Sequence, residues 1–128
     1  MKNVEPARVN HAGAKIEVLQ NMRLSVATTS VPGDLLYKLE RIANAGFGGV
    51  ELYEPDLTGF AGSAAEIGKL CATLGLTIDV FQPFNDFEGR TGKARDLAFA
   101  RLDQKLALMQ ALDADVLLVG TSTHAEAH

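Results

Sequence analysis

The feature that most constrains the fold is a pattern that repeats along the chain from Met22 onward. A short run of apolar and β-branched residues is followed each time by an amphipathic segment of helical period. Gly46 and Gly75 end the first two helical segments, since glycine readily adopts the left-handed conformation found after a helix. The strands predicted in this way cover residues 24–28, 49–53, 76–82 and 115–120. Short apolar strands that alternate with amphipathic helices predict a parallel sheet covered by helices.

Two α/β architectures satisfy this order of strands and helices: an open doubly wound sheet and part of a (β/α)₈ barrel. A complete barrel takes about 250 residues, and this chain has 128, so it would hold four of the eight strand–helix units. Residues 22–128 are predicted to form this partial barrel domain. Residues 1–21 are polar and lack sustained periodicity, which predicts a disordered N-terminal extension.

Composition and charge exclude several classes of partner. The net charge is −4 and the basic residues are scattered, which argues against binding to nucleic acid or to an anionic membrane surface. No apolar run approaches the roughly 20 residues of a membrane-spanning helix. The single cysteine, Cys71, excludes an internal disulfide and favours a cytoplasmic protein. It lies on the apolar stripe of the second predicted helix, where we expect a buried thiol rather than a nucleophile.

Ligands of parallel α/β folds bind at the carboxyl ends of the strands, and the first two strand ends carry candidates. The hydroxyls of residues 28–30 follow the first strand, and either bind a polar substrate or serve as turn and capping groups. Glu51 in the second strand alternates with Val50 and Leu52, so it would point to the opposite side. Burying a carboxylate is costly unless it is paired or used, which makes Glu51 a candidate for substrate binding.

The third predicted strand ends in the run F-Q-P-F-N-D-F-E-G-R, residues 81–90. Clustered phenylalanines of this kind indicate either a binding site or burial. Gln82 is suited to hydrogen bonding with a substrate hydroxyl or carbonyl, and Phe84 to contact with a ring. Arg90 is suited to a carboxylate or phosphate. The alternative is that the rings pack over the end of the barrel while the charged groups are solvated.

The fourth strand is followed by G-T-S-T-H, residues 120–124. Ser122 is a candidate for substrate binding, and His124 for substrate binding or proton transfer, unless this segment is a frayed tail. The sequence contains neither a glycine-rich phosphate loop nor a G-x-G-x-x-G motif after a strand. It also has no His, Cys, Asp and Glu set with compact metal-ligand spacing, so no metal ligand is predicted within this chain.

Several phrases resemble one known family. Residues 22–30, 45–54, 70–76 and 81–89 look like the opening of the bacterial 3-dehydroshikimate dehydratases, which belong to the xylose isomerase-like barrels, also called the sugar phosphate isomerase/epimerase group. The phrase A-G-F-G-G-V-E at 45–51 is typical of that whole group. The phrase F-Q-P-F-N-D-F-E-G at 81–89 is narrower, and resembles the bacterial 3-dehydroshikimate dehydratases. The resemblance extends over about residues 22–123. It implies an α/β fold that is the N-terminal half of a (β/α)₈ TIM barrel, with four parallel strand–helix units.

The resemblance also implies an activity. The 3-dehydroshikimate dehydratases are lyases that use a divalent metal, Mg²⁺, Mn²⁺ or Co²⁺, to convert 3-dehydroshikimate to protocatechuate. Their metal ligands come from the fifth to eighth strands, so none is carried over to this chain. The sequence departs from the family at Asn85, where members often have a basic residue suited to the substrate carboxylate. Some members are fused to a domain similar to 4-hydroxyphenylpyruvate dioxygenase.

Alternative functions remain open at this point. The same superfamily includes isomerases of sugars and keto acids, so the small-molecule substrate is either 3-dehydroshikimate or a sugar-like compound. A half-barrel that binds a small ligand without turnover, or that only oligomerises, is a different class of hypothesis. Such a half-barrel exposes the edges of its first and fourth strands, which invites association. We therefore expect a homo-oligomer, or a separate chain that supplies the second half of the barrel.

Overall fold

The computed structural model describes residues 23–122, in which strands and helices alternate. The strands are Ser25–Ala27 (β1), Gly49–Tyr53 (β2), Thr77–Phe84 (β3) and Leu117–Val119 (β4). The helices are Leu35–Asn44 (α1), Glu54–Thr58 (α2), Ala64–Leu74 (α3) and Gly92–Leu112 (α4), and a 3₁₀ turn, Thr28–Ser30, follows β1. The predicted N-terminal extension and His124 lie outside the described residues.

The strands form one sheet in the order β1-β2-β3-β4, and every neighbouring pair is parallel. Val26 lies beside Val50, Val50 beside Ile78, and Phe81 beside Leu117. The strand order follows the chain order because each crossover helix returns the chain to the next position along the sheet. The predicted parallel α/β fold is confirmed, with β1 and β4 at the two edges of the sheet.

The hydrophobic core lies between the sheet and the helices. Val50, Leu52 and Phe81 are completely buried there. The helices contribute Leu39, Ile42, Ile67, Cys71, Met109 and Leu112 to the same cluster. Side chains alternate along a strand, so Glu51 and Tyr53 lie on the opposite face of the sheet from Val50 and Leu52. The core thereby fixes which face of β2 presents its polar groups.

Local capping defines where the helices begin and end. The Ser63 hydroxyl accepts a hydrogen bond from the Glu66 amide, and the Glu66 carboxylate accepts one from the Ser63 amide, at 3.2 Å each. These two bonds form a capping box at the start of α3, which the three-residue spacing of Ser63 and Glu66 in the sequence predicts. Gly75 ends α3 with φ at +73°, the left-handed conformation that glycine adopts without a steric penalty. The predicted ends of α3 are therefore confirmed.

Two features of the helices differ from what the local sequence predicts. Pro55, Gly59 and Gly62 predict a loop after β2, yet the segment begins with α2, where Pro55 occupies the first turn and its fixed φ favours helix initiation. In α4, the three- and four-residue spacing of the apolar residues predicts that Leu97 and Leu106 are buried, yet they are 66% and 46% exposed. Within residues 23–122, no helix is both long and apolar enough to cross a membrane.

Cys71 is 2% exposed within the core cluster, as expected for a structural thiol. Burial raises the pKa of Cys71 from 9.0 to about 11, because the apolar surroundings disfavour the thiolate. A thiol is nucleophilic only when it is deprotonated. The side chain therefore stays neutral and unreactive at physiological pH, and contributes to packing rather than to chemistry.

Candidate functional site

Glu51 and Gln82 meet at the carboxyl ends of β2 and β3, on the face of the sheet opposite the core. The Gln82 side-chain amide donates a hydrogen bond to Glu51 Oε2 at 3.5 Å, and both side chains are half-buried. This distance is long for a hydrogen bond, so the pair is in contact but weakly held. A carboxylate has about four lone-pair positions, and a single long bond leaves Glu51 able to accept further hydrogen bonds from a ligand.

The hydroxyl of Thr28, at the end of β1, has a structural partner. Thr28 is completely buried, and its Oγ1 accepts a hydrogen bond from the Tyr53 backbone amide at 3.1 Å. This bond joins the ends of β1 and β2, and fixes the backbone two residues beyond Glu51. For Thr28, the interpretation as a turn group agrees with these contacts, whereas Thr29 and Ser30 are exposed at the same rim.

The phenylalanines of residues 81–90 pack against α4. Phe84, a predicted substrate contact, is 1% exposed, and its ring centroid lies 5.4 Å from that of Phe87. Phe87 in turn lies 5.3 Å from Phe99 of α4 in an edge-on arrangement, a favourable geometry for aromatic pairs. Within the part of the chain that the structure describes, the Phe84 ring belongs to the packing of this loop onto α4.

Arg90 lies on the side of the loop that faces α4. Its Nε donates to the backbone carbonyl of Asp86 at 3.2 Å. Together with Arg101 it lines a cavity of about 280 Å³, whose other lining residues are Asp86, Ala94 and Leu97. Arg90 thus borders this cavity beside α4, in the loop that follows Gln82 at the end of β3.

Arg101 is a residue that the sequence did not single out. Its two terminal nitrogens donate to the backbone carbonyls of Asn85 and Asp86 at 3.1 and 3.0 Å. Its guanidinium also lies over the Phe84 ring, 5.2 Å from the centroid, within range of a cation–π interaction. The feature of the sequence that could have indicated this role is an arginine on the buried side of α4, three residues after the buried Ala98.

Ser122 is 1% exposed and is bound to a single residue of the β3–α4 loop. Its backbone amide donates to the Glu88 carboxylate, and its hydroxyl donates to the Glu88 backbone carbonyl at 3.0 Å. Both donors of this predicted substrate contact are thus engaged with Glu88. The structure brings Ser122 to the loop that follows Gln82, rather than to Glu51 itself.

The short helix α2 is held from both sides by lysines. Lys38 of α1 is 8% exposed and pairs with Asp56 at 3.0 Å. Lys105 of α4 pairs with Glu54. Burial lowers the pKa of Lys105 below its usual 10.5, because desolvation disfavours the charged ammonium. The two ion pairs fix the backbone that follows Tyr53.

The layout as a whole is that of a partial (β/α)₈ barrel, with polar groups at the carboxyl ends of its parallel strands. The family model described as "Xylose isomerase-like TIM barrel" matches residues 39–128. The chain therefore belongs to the xylose isomerase-like TIM barrel family, and it corresponds to the N-terminal part of such a barrel. The predicted fold class is confirmed.

Two curated relatives show which members of the family the chain resembles in sequence. The chain is 45% identical over 106 residues to the 3-dehydroshikimate dehydratase of Pseudomonas putida. It is 46% identical over 106 residues to the enzyme of the same name from Pseudomonas aeruginosa. Each match covers 83% of this chain but 17% of the relative. The chain thus spans about one-sixth of the length of these relatives.

Solved structures agree on the fold. A xylose isomerase-like TIM barrel/4-hydroxyphenylpyruvate dioxygenase fusion protein matches with a TM-score of 0.80 and 45% identity, over 84% of this chain and 17% of that one. The zinc-bound IOLI protein matches at 0.69 and 16% identity, over 77% of this chain and 37% of that one. A family 2 AP endonuclease from Brucella melitensis matches at 0.55 and 24%, over 74% and 39%. The last two comparisons bear on the fold alone.

Proposed function

We propose that this chain forms the β1–β4 side of the substrate pocket of a 3-dehydroshikimate dehydratase, a lyase that converts 3-dehydroshikimate to protocatechuate. The contact between Glu51 and Gln82 carries the proposal, because it joins a carboxylate and an amide at the strand ends where barrel enzymes bind their substrates. The 45% identity to the Pseudomonas putida enzyme over 106 residues supports the choice of substrate.

The proposed roles follow from the chemistry of each group. Dehydration beside a ketone needs removal of a proton from the neighbouring carbon and departure of a hydroxyl group, both of which positioned side chains assist. Glu51 binds a ring hydroxyl of the substrate as a hydrogen-bond acceptor. Gln82 holds the Glu51 carboxylate in place through their hydrogen bond. Arg90 is the only basic residue between Phe84 and Gly92, and it is the group of this loop suited to the substrate carboxylate.

The family resemblance implies a divalent metal, Mg²⁺, Mn²⁺ or Co²⁺, whose contribution in such a reaction is to polarise the ketone. Among residues 23–122, no group of three or more His, Cys, Asp or Glu side chains is placed to hold a metal ion. One carboxylate with one amide falls short of the three protein ligands that a catalytic zinc usually has. The described residues do not fit a complete metal site, and we assign Glu51 and Gln82 to the substrate.

The exposed edge of the sheet at β4 supports the proposal that a second copy of the chain, or another chain, completes the pocket. Val116, Leu118 and Val119, in and beside the edge strand β4, are each about half exposed, and an apolar strand edge promotes association. We expect the 128-residue chain by itself to form a homo-oligomer, or to bind the second half of a barrel. Light scattering of the purified chain should then give at least twice the monomer mass, and a monodisperse monomer would argue against association.

The lone cysteine favours a reducing, cytoplasmic location.

A hybrid protein tests the proposed function. The 106 matched residues of the Pseudomonas putida enzyme are replaced with those of this chain, and protocatechuate formation is followed with added Mg²⁺ or Mn²⁺. We expect kcat/KM to remain within about tenfold of the parent enzyme, because this chain supplies the same side of the pocket.

The 128-residue chain alone is the control. It should form no protocatechuate with either metal if the metal site lies elsewhere. A hybrid that has the circular dichroism spectrum and metal content of the parent, but forms no protocatechuate, would contradict the proposed function.

A further inference from the structure

The loop after β3 and the segment after β4 are joined by a continuous set of contacts that we call the rim clasp, formed by Phe84 and Glu88 on one side and by Gly120 and Ser122 on the other. The Gly120 amide donates to the Phe84 carbonyl at 2.8 Å. Two residues further on, Ser122 donates both its backbone amide and its hydroxyl to Glu88. The pairing of β3 with β4 therefore continues beyond the strands, and ties the loop to the end of β4.

Small residues in the segment after β4 lie close to the loop. The Gly120 backbone lies against the Asn85 side chain, which would have to move to admit a Cβ atom at Gly120. Ser122 is almost completely buried, and its hydroxyl is already bonded to a backbone carbonyl. A buried polar group is tolerated when it has such a partner. Both positions therefore favour close approach of the two segments over open contact with a ligand.

The opposite side of the loop is fixed by arginine. The Asp86 carbonyl accepts hydrogen bonds from Arg90 Nε at 3.2 Å and from Arg101 at 3.0 Å. Asp86 has φ at +59°, a left-handed conformation that aspartate adopts more readily than most residues with a side chain. The bend at Asp86 is thus held by α4, while Glu88 is held by β4.

We propose that Ser122 and Arg101 are positioning residues, which fix the loop after β3 and thereby hold Gln82 in contact with Glu51. The loop begins at Asn85, three residues after Gln82, so its order determines how the end of β3 is anchored. Ser122 acts through Glu88 rather than on the substrate. The consequence for catalysis depends on the proposed function, whereas the order of the loop does not.

Hydrogen exchange of the full 128-residue chain tests the clasp without any assay of activity. In Ser122→Ala and in Arg101→Met, backbone amides of residues 85–91 should exchange about tenfold faster or more, since each change removes at least one of the loop's hydrogen bonds. Peptides from α3 should be unchanged. Thr121→Ala is the matched control, because Thr121 is the exposed neighbour of Ser122, and it should leave the exchange of residues 85–91 unchanged.

The hybrid protein tests the positioning role. Ser122→Ala and Arg101→Met should raise KM about tenfold with a smaller effect on kcat, because a mobile loop weakens substrate binding more than the chemical step. Unchanged exchange in residues 85–91 of both variants, or an equal rise in all peptides, would overturn the clasp. A loss of kcat/KM in Ser122→Ala without faster exchange would mean that Ser122 binds substrate directly. Faster exchange in an inactive hybrid would leave the clasp standing and refute the proposed function alone.

Discussion

Replacing Glu51 with glutamine in the hybrid protein is expected to lower kcat/KM for 3-dehydroshikimate by about 10- to 100-fold, because a hydrogen bond from the substrate to a charged group contributes about 1.5–3 kcal/mol. Glutamine preserves the size of the side chain but removes the charge and one acceptor. Gln82→Leu should cost about tenfold, because Gln82 acts by orienting Glu51 across their 3.5 Å contact. The measurement is the initial rate of protocatechuate formation as a function of substrate concentration.

Glu40→Gln is the control for this prediction. Glu40 is an exposed residue of α1, and the same change of charge there should leave kcat/KM within about twofold of the hybrid, as expected for a surface position. A Glu51→Gln variant that is folded and as active as the Glu40→Gln variant would show that Glu51 does not contact the substrate.

Lys105→Met is expected to lower the free energy of unfolding of the 128-residue chain by about 2–3 kcal/mol, somewhat less than for a fully buried pair. The methionine retains most of the apolar stem, but it leaves the Glu54 carboxylate, 20% exposed, without its ammonium partner. An unpaired carboxylate in such surroundings is costly. Urea denaturation followed by circular dichroism measures the change.

A second substitution separates the ion pair from packing. In the double variant Lys105→Met and Glu54→Gln, the uncompensated charge is gone, so most of the lost stability should return. Lys93→Met in the first turn of α4 is the matched control, because Lys93 is exposed and should change stability by less than about 0.5 kcal/mol. Equal losses in the single and double variants would contradict the ion-pair explanation.

The sequence was sufficient to predict the parallel sheet and most helix ends, because these depend on local signals. β2 is predicted from its own apolar run, and the start of α3 from the capping box of Ser63 and Glu66. Each of these signals lies within a few neighbouring residues. Leu97 and Leu106 show the limit of such patterns. Their spacing fits a helical face, but which side of a 21-residue helix is buried depends on what packs against it.

The candidate site was predictable only where it follows directly from strand alternation. Glu51 was placed correctly on the face opposite Val50 and Leu52, because alternation fixes that side. The roles of Lys105 and Arg101 were not predictable, since each depends on a partner more than ten residues away in the sequence, on the other side of a helix–loop boundary. A charged residue on a partly buried helix face was the available signal.

The central claim is that Glu51 binds a ring hydroxyl of the substrate. Its most direct test is a crystal structure of the hybrid protein with protocatechuate bound, in which the distance from Glu51 to the ligand hydroxyls is measured. We expect a carboxylate oxygen of Glu51 to lie within hydrogen-bonding distance, about 2.5–3.0 Å, of a ring hydroxyl, with Gln82 still in contact with Glu51. A bound ligand whose hydroxyl groups are met by other residues, with Glu51 turned away from the pocket, would contradict the assignment of this chain to the substrate-binding side of the barrel.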